Sequence, residues 1–347
     1  MKITKPISIK PTLLGESIEF LHQEDMTCIA TTEGIVELVS QLVYYKEEGK
    51  ALFPEIYIFD DLELVKKVLP TSQVCSIGKG GKSKETMLKA LKKCAPLTEG
   101  GWAIYILRKL DSFEYGVIRA GTSILSVSIS ELLIDNGSNE LKAVLIHQVA
   151  EKVIEVKGVN ADTLVINFGS HTNSINSPTK NQLEFIETIV AKVDIKLKDP
   201  TLNFFQKVFL EVLQKGHGTL SCVISSKKSY PKRLQDGILL EHKLNIPDII
   251  RELLDKDDLV ANSKLQGSYS LLSGMLQSDG ITVFSDRGEI ISYNVFIKHP
   301  EKILKSTTSG GARSRTFLTL CEMVGSGLES AFIQSQDGNI EFKKNGK

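Results

Sequence analysis

The chain has 347 residues, which is more than one typical domain, so we expect two or three domains. Its hydrophobic share of 41% and its charged share of 24% are ordinary for a globular protein. Lysine plus arginine and aspartate plus glutamate both number 42, so net charge does not favour nucleic acid or a membrane surface as a partner, and any anion site must be local.

The sequence shows neither a targeting signal nor cysteines at metal-binding or redox spacing. The N-terminal residues lack the apolar core of a signal peptide, and no stretch approaches the roughly 20 apolar residues that a membrane helix requires. The five cysteines are dispersed and never stand in CxxC spacing, which indicates reduced thiols without a disulfide framework or a zinc site. We therefore expect a cytoplasmic protein that does not bind membranes.

Residues 1–168 mix helical and strand patterns and predict a separate α/β or α+β domain. Its predicted elements are an amphipathic helix over 35–50 that stops at Gly49, a strand over 55–59, a short helix over 61–68, paired strands over 102–107 and 115–119, a helix over 141–156 and a buried strand over 163–168. The next segment, 169–180, is rich in small polar residues and is the clearest linker. Ser177 and Pro178 suit the N-cap and the first position of a helix over 179–193, so we assign 169–200 to a linker and connecting helix.

Residues 201–347 alternate between helices and strands, which predicts an α/β domain with a mixed sheet flanked by helices. The predicted helices span 201–213, 246–254 and 313–323, and the predicted strands span 218–225, 281–284, 290–296, 330–334 and 340–342. Asn245 and Pro247 open the second of these helices.

The run from Gly310 to Arg315, with the sequence GGARSR, has the composition of an anion site. Glycines let the backbone approach a phosphate, a helix N-terminus presents free N–H groups, and the side chains of Arg313 and Arg315 are permanently charged forks. Upstream, Asp279 and Gly280 precede a predicted strand, where the carboxylate can ligate a divalent ion or orient a ribose hydroxyl. The alternative is an ordinary Asp-Gly turn and a capped surface helix, and local chemistry leaves both open.

Four motifs in order give the region 201–345 a resemblance to the DisA-type diadenylate cyclase (DAC) domain. They are the His-Gly of His217-Gly218, the Asp-Gly-Ala motif at Asp279-Gly280-Ile281, the Gly-Ala-Arg-His-Arg motif at Gly311-Ala312-Arg313-Ser314-Arg315, and the closing hairpin at Ser335-Gln336-Asp337-Gly338. In the amino-terminal region, the segment Tyr44–Lys50, followed by Phe53-Pro54, faintly resembles the sensor modules that precede such domains.

This resemblance implies a reaction in which two ATP molecules, held by face-to-face copies of the domain in a homo-oligomer, form cyclic di-AMP and pyrophosphate with Mg²⁺ or Mn²⁺. The amino-terminal domain would then be a sensor or regulatory domain. The resemblance implies catalytic roles for Asp279, Arg313 and Arg315, a metal-binding role for Asp279, and nucleotide-binding roles for Gly280, Ile281, Gly310, Gly311, Ala312, Ser314 and Ser335.

The chain departs from the family pattern at several positions. Ser314 replaces the histidine that serves the metal, and a hydroxyl is a poor substitute for an imidazole as a ligand. Ile281 replaces a small alanine, and Thr316 and Phe317 stand where small residues usually follow. These changes favour, as the alternative function, a module that binds ATP or a cyclic dinucleotide as a sensor without turnover.

Other local signals in the sequence are weaker. Gly81-Lys82-Ser83 matches the end of a P-loop, but Ser76 stands where the first glycine belongs, so a basic loop at a helix start is the simpler interpretation. The scattered histidines, among them His147 and His299, lack partners at ligand spacing, and His217 is interpreted as structural.

Overall fold

A computed structural model describes residues 9–121, 124–135, 140–169, 177–299, 311–335 and 339–346. The chain divides into a first compact unit of Met1–Thr122, Ser126–Gln148 and Lys152–Ile175, and a second unit of Ser123–Leu125, Val149–Glu151 and Asn176–Lys347. Each unit combines helices with a large mixed β-sheet, which confirms the predicted α/β fold class. No helix within the described ranges is long and apolar enough to cross a membrane.

The first unit is built on a seven-stranded mixed sheet. Its strands, including a separate small hairpin, are β1 Lys46–Glu47, β2 Lys50–Ala51, β3 Ile56–Phe59, β4 Gln73–Gly81, β5 Trp102–Arg108, β6 Ser112–Arg119, β7 Ala143–Ala150, β8 Val153–Gly158 and β9 Leu164–Asn167. The order in the sheet is β4-β6-β5-β3-β7-β8-β9, while β1 pairs with β2 alone. β3 runs parallel to β5 and antiparallel to β7, and β5 and β6 pair antiparallel as predicted.

Helices of the first unit cover both faces of this sheet. They are α1 Ile9–Gln23, α2 Ile29–Leu42, α3 Leu62–Val68 and α4 Lys84–Cys94, with a 3₁₀ turn at Ala95–Leu97 and a π-helical turn at Glu131–Asp135. Ile56 and Ile104 pack into a core with residues of α1, α2 and α4, whereas Tyr57 and Tyr105 pack into a second core with residues of α3. The alternation of side chains along each strand therefore gives the unit two apolar layers.

Two predicted helices of this unit are corrected. The one over 35–50 is observed as α2, which ends at Leu42, because residues 46–51 pair as the β1–β2 hairpin instead; Glu48 and Gly49 turn that hairpin with positive φ values of 49° and 85°. The one over 141–156 is wrong, since these residues form strands β7 and β8, and every residue of β7 is buried. A strand buried on both faces lacks the alternation that marks a strand in sequence. The predicted strand at 163–168 is confirmed as β9, which is half-buried rather than buried.

The second unit is also built on a seven-stranded mixed sheet. Its strands are β10 Thr219–Ile224, β11 Leu234–Gln235, β12 Ile238–Asn245, β13 Ile281–Ser285, β14 Glu289–Ile297, β15 Leu328–Gln334 and β16 Ile340–Lys344. Its described helices are α5 Pro178–Ile189, α6 Ile195–Gln214, α7 Ile246–Lys256, α8 Leu259–Leu276 and α9 Ala312–Met323. The order in the sheet is β11-β14-β13-β10-β15-β16, and β12 also pairs with β14.

Helix α5 belongs to the core of the second unit. Ser177 caps it by accepting a hydrogen bond from Lys180 N–H, and Pro178 occupies its first turn, as predicted. Phe185 of α5 stacks on Phe332 of β15 with ring centroids 4.7 Å apart. The segment 178–189 is therefore more than a connection, and the expected boundary at residue 201 falls inside α6.

A parallel strand pair lies in the middle of this sheet and sets the position of the candidate site. β10 and β13 are parallel, with Leu220 opposite Ile281, so both strands begin at the same edge. Gly218 and the Asp279-Gly280 pair directly precede them. Phe317 and Leu320 of α9 pack with Leu220 in one core, which brings the N-terminus of α9 to that edge as well.

Candidate functional site

The two motifs of the second unit meet as an ion pair. Asp279 Oδ1 lies 3.3 Å from Arg313 Nη2, although the residues are separated in sequence by β13, β14 and the segment that precedes α9. The arginine side chain is 29% exposed and the aspartate side chain 89% exposed, so the guanidinium is held in the protein and the carboxylate faces outward. A Cβ on Gly218 would lie 2.7 Å from Arg313 Nη1, so the glycine leaves the space that the guanidinium fills.

Gly280 is required by a close approach of two strands. A Cβ at this position would lie 2.3 Å from the carbonyl carbon of Asn294 and 2.6 Å from Val295 N. The register between β13 and β14 shifts here, and Asn294 takes a left-handed conformation with φ of 50°. The bulge in β14 therefore presses its backbone against Gly280, at a strand irregularity of the kind common beside functional sites.

A pocket of about 190 Å³ opens beside the ion pair. Its apolar lining comes from Leu220, Ile281, Val295 and Ile297, and its polar groups are Asp279, Arg313, His299 and Thr316. An apolar lining with a few convergent polar groups is the usual composition of a small-molecule site. The volume is below the roughly 300 Å³ of a typical complete ligand pocket, so it suits one part of a larger molecule.

The N-terminus of α9 points its first N–H groups toward this region. Gly311 is the N-cap, with an extended backbone, and as a glycine it offers no side-chain oxygen to the first turn of α9. Uncapped N–H groups and the helix dipole favour an anion at this position. Gly310, predicted as part of the same turn, lies outside the described residues.

The structure brings together only some of the predicted site residues. Asp279, Gly280, Ile281, Ala312 and Arg313 line one pocket. Ser314 is exposed and Arg315 is half-buried, and neither is among the described residues that line the pocket. Arg315, two residues beyond Arg313 on the helix, also has no ion pair among the described residues.

Ser335 follows β15 and is tied to the local turn. Its hydroxyl donates to the carbonyl of Asn339 at 3.2 Å, and its own N–H donates to the same carbonyl at 2.9 Å. It is not a described lining residue of the pocket, and the rest of the predicted hairpin motif, 336–338, lies outside the described residues. Its nucleotide-binding role stays a prediction.

Two polar lining residues were missed in the sequence. His299 and Thr316 both reach the pocket, and no local motif marks His299, because its partner Thr319 lies on α9. His217, in contrast, is held by the backbone: its Nδ1 lies 3.0 Å from the carbonyl of Gly218, and its carbonyl accepts from Gln334 at 2.9 Å. These bonds agree with the structural role that we assigned to it.

The P-loop alternative fails on geometry. Residues 73–81 form strand β4 and pair with β6 along most of its length, so their N–H groups do not form a phosphate cradle. Lys82 Nζ donates to the carbonyl of Leu110 at 3.3 Å, outside any such cradle. The basic segment is an edge strand followed by helix α4, which Ser83 caps.

Metal binding at this pocket would depend on the nucleotide. Within the described ranges, no group of three or more His, Cys, Asp or Glu side chains is placed to hold a metal ion. Asp279 supplies the carboxylate of the pocket, and Mg²⁺ or Mn²⁺ commonly takes one or two protein oxygens and completes its shell with phosphate oxygens and water. The donor set therefore fits an ion that arrives with a triphosphate.

Comparison with known proteins adds no assignment to this geometry. A scan of the chain against models of protein families gives no match, and a search of curated proteins gives no significant match.

Proposed function

We propose that the second unit binds ATP at the pocket of Asp279 and Arg313 and condenses two ATP molecules into cyclic di-AMP with release of two pyrophosphates. The observation that carries the proposal is the 3.3 Å ion pair that joins the two separate motifs beside a pocket at a helix N-terminus. The motif resemblance names the reaction, and the pocket supplies groups of the right chemistry for it.

Each group of the pocket has a role in this reaction. The guanidinium of Arg313 and the first N–H groups of α9 would bind phosphate oxygens, and the apolar lining would accept the base. Asp279 would orient the 3′-hydroxyl, whose oxygen bonds to the α-phosphorus of the other ATP as the bond to pyrophosphate breaks and the hydroxyl proton passes to solvent. Mg²⁺ or Mn²⁺, held by Asp279 and the triphosphate, would neutralise charge on the phosphates.

The proposal requires two copies of the domain. One pocket holds one nucleotide, and each nucleotide must present its hydroxyl to the other, so two pockets must face each other in a homo-oligomer. The outward carboxylate of Asp279 suits this arrangement. The first unit would be the sensor or regulatory domain. An ATP substrate and five cysteines that form no disulfide both suit a cytoplasmic protein.

Product analysis tests the proposal. Purified full-length chain would be incubated with ATP and either Mn²⁺ or Mg²⁺, and products would be identified by mass spectrometry. We expect cyclic di-AMP from the wild type and none from Asp279→Asn. The matched control is Asp257→Asn, because Asp257 is an exposed aspartate of the same unit that lies at the C-cap of α7, and it should retain activity.

A second candidate function is a sensor that binds ATP or cyclic di-AMP without turnover. The exposure of Ser314 favours it, because the motif position that carries a histidine in the family presents only an outward hydroxyl here. Measurable nucleotide binding without any cyclic di-AMP would identify the sensor. Product that disappears in Asp279→Asn would exclude it.

A further inference from the structure

A hydrogen-bond relay fixes the side chain of His299 at the pocket. Its Nδ1 lies 2.9 Å from Thr319 Oγ1, and the threonine hydroxyl donates to the carbonyl of Arg315 at 3.1 Å. Thr319 is fully buried on the inner side of α9, and His299 is partly buried after the end of β14. The ring is therefore anchored to the same helix that carries Arg313.

This relay favours one tautomer of His299. A hydroxyl has one proton, and when the Thr319 hydroxyl donates it to the Arg315 carbonyl it can only accept from His299. Nδ1 is then the donor, and in the neutral ring Nε2 holds the lone pair. Because Nδ1 is turned to α9, Nε2 on the opposite side of the ring is left for the pocket that His299 lines.

We infer that His299, through Nε2, is a second protein ligand, beside Asp279, for the divalent ion that accompanies the nucleotide. The inference rests on the proposed function, since the remaining ligands would be phosphate oxygens and water. A histidine whose other nitrogen donates to a fixed oxygen is the usual arrangement at a metal, because that bond sets the tautomer and the ring orientation. Thr319 is then a positioning residue that acts through His299.

The inference also explains how the site can have an imidazole ligand although Ser314 replaces the histidine of the motif. An exposed serine outside the described lining cannot supply a nitrogen ligand, whereas His299 reaches the pocket from β14. One carboxylate and one imidazole favour Mn²⁺ over Mg²⁺, because imidazole suits the later transition metals and Mg²⁺ prefers oxygen. The site would therefore bind Mn²⁺ in preference once the nucleotide is present.

The test uses Mn²⁺ and an ATP analogue with a methylene bridge between the α- and β-phosphates, which blocks the reaction at the α-phosphorus. Electron paramagnetic resonance of the full-length chain measures bound Mn²⁺, and electron spin-echo modulation detects a directly bound ¹⁴N. We expect a nitrogen signal in the wild type that is absent in His299→Ala, with Mn²⁺ affinity at least tenfold weaker. Thr319→Val, which removes only the hydroxyl, should weaken Mn²⁺ affinity by about tenfold.

Matched variants separate the outcomes. His242→Ala removes an exposed histidine of β12 and should leave the signal and the affinity unchanged. Equal Mn²⁺ affinity and an unchanged nitrogen signal in His299→Ala, with the analogue still bound, would overturn the inference and leave the proposed function standing. Failure of the wild type to bind the analogue at all would overturn the proposed function and the inference with it.

Discussion

Gly280 offers a sharp test of the site's architecture, because the space for its side chain is already taken by backbone. In Gly280→Ala the new Cβ would stand 2.3 Å from the carbonyl carbon of Asn294, where ordinary contact begins at 3.4 Å. The strands β13 and β14 would have to separate by about 1 Å, and no flexible side chain is available to give way. Overpacking of this kind costs about 2–3 kcal/mol of unfolding free energy.

The matched control, Gly274→Ala, should raise the unfolding free energy instead of lowering it. Gly274 lies exposed inside α8, and a Cβ there meets nothing within 4 Å. Gly274→Ala should therefore stabilise the second unit by about 0.5–1 kcal/mol, since alanine is the better helix former. Both substitutions add the same methyl group to the same unit, so only the local space differs.

Thermal and denaturant unfolding followed by circular dichroism measures both effects. The melting temperature should fall by roughly 4–12 °C in Gly280→Ala and rise slightly in Gly274→Ala. Trp102 is the single tryptophan and lies in the first unit, so its fluorescence identifies the transition of that unit. A Gly280→Ala protein within 0.5 kcal/mol of wild type would refute the close approach of the two strands.

Substitutions at three further residues test other contacts. Asp286 is buried, and burial opposes its charge, but hydrogen bonds from Lys192 and Ser226 hold the pKa of its carboxyl below the ordinary value. The stability that this carboxylate contributes is therefore complete above about pH 4 and is lost as pH falls through the folded pKa. Asp286→Asn should cost on the order of 1–3 kcal/mol at pH 7 and flatten the loss of stability below about pH 4 in urea titrations, and an unaltered acid profile would contradict this. The buried carboxylate of Glu24 accepts hydrogen bonds from the N–H groups of Val159, Asn160 and Ala161. Glu24→Ala should therefore lower the unfolding free energy of the first unit by roughly 3 kcal/mol or more, and Glu24→Gln should lower it by less. Trp102 fluorescence during denaturant unfolding measures both effects. Ser314→His should raise turnover by less than about tenfold if His299 already supplies the imidazole, and a larger gain would count against His299.

Local chemistry allowed several elements to be predicted with their boundaries. Asn245 caps α7 by accepting from Asp248 N–H, and Ser177 caps α5, because short polar side chains before a proline satisfy the first N–H groups of a helix. The turn at 286–288 between β13 and β14 has the sequence Asp286-Arg287-Gly288, a composition typical of turns. Each of these signals lies within a few residues of the structure that it specifies.

Other elements depend on contacts that are distant in sequence. β7 has only buried residues, so its apolar run resembles a buried helix until its pairing with β3 is known. The strand β4 consists of the glycine- and lysine-rich residues that resembled a P-loop, and it is a strand because β6 pairs with it. Pairing partners of this kind leave no local pattern.

The candidate site could also be predicted only in part, where local motifs mark its residues. The motifs around Asp279 and Arg313 could be recognised separately, and their ion pair follows from the packing of α9 beside β10 and β13. His299 could not be recognised, because its role depends on Thr319 one helix away. The outward direction of Ser314 was equally hidden, since a motif match does not say which residues of a helix face the pocket.

Equilibrium binding of ATP to Arg313→Ala, measured by isothermal titration calorimetry on the full-length chain, tests the central claim most directly. Arg287→Ala is the matched control. Arg287 is an exposed arginine in the turn after β13, at the end of that strand opposite to Asp279. We predict that Arg313→Ala weakens ATP binding by at least tenfold, about 1.4 kcal/mol, and that Arg287→Ala leaves it unchanged. Unchanged affinity in Arg313→Ala, or an equal loss in both variants, would contradict the assignment of this pocket as the nucleotide site.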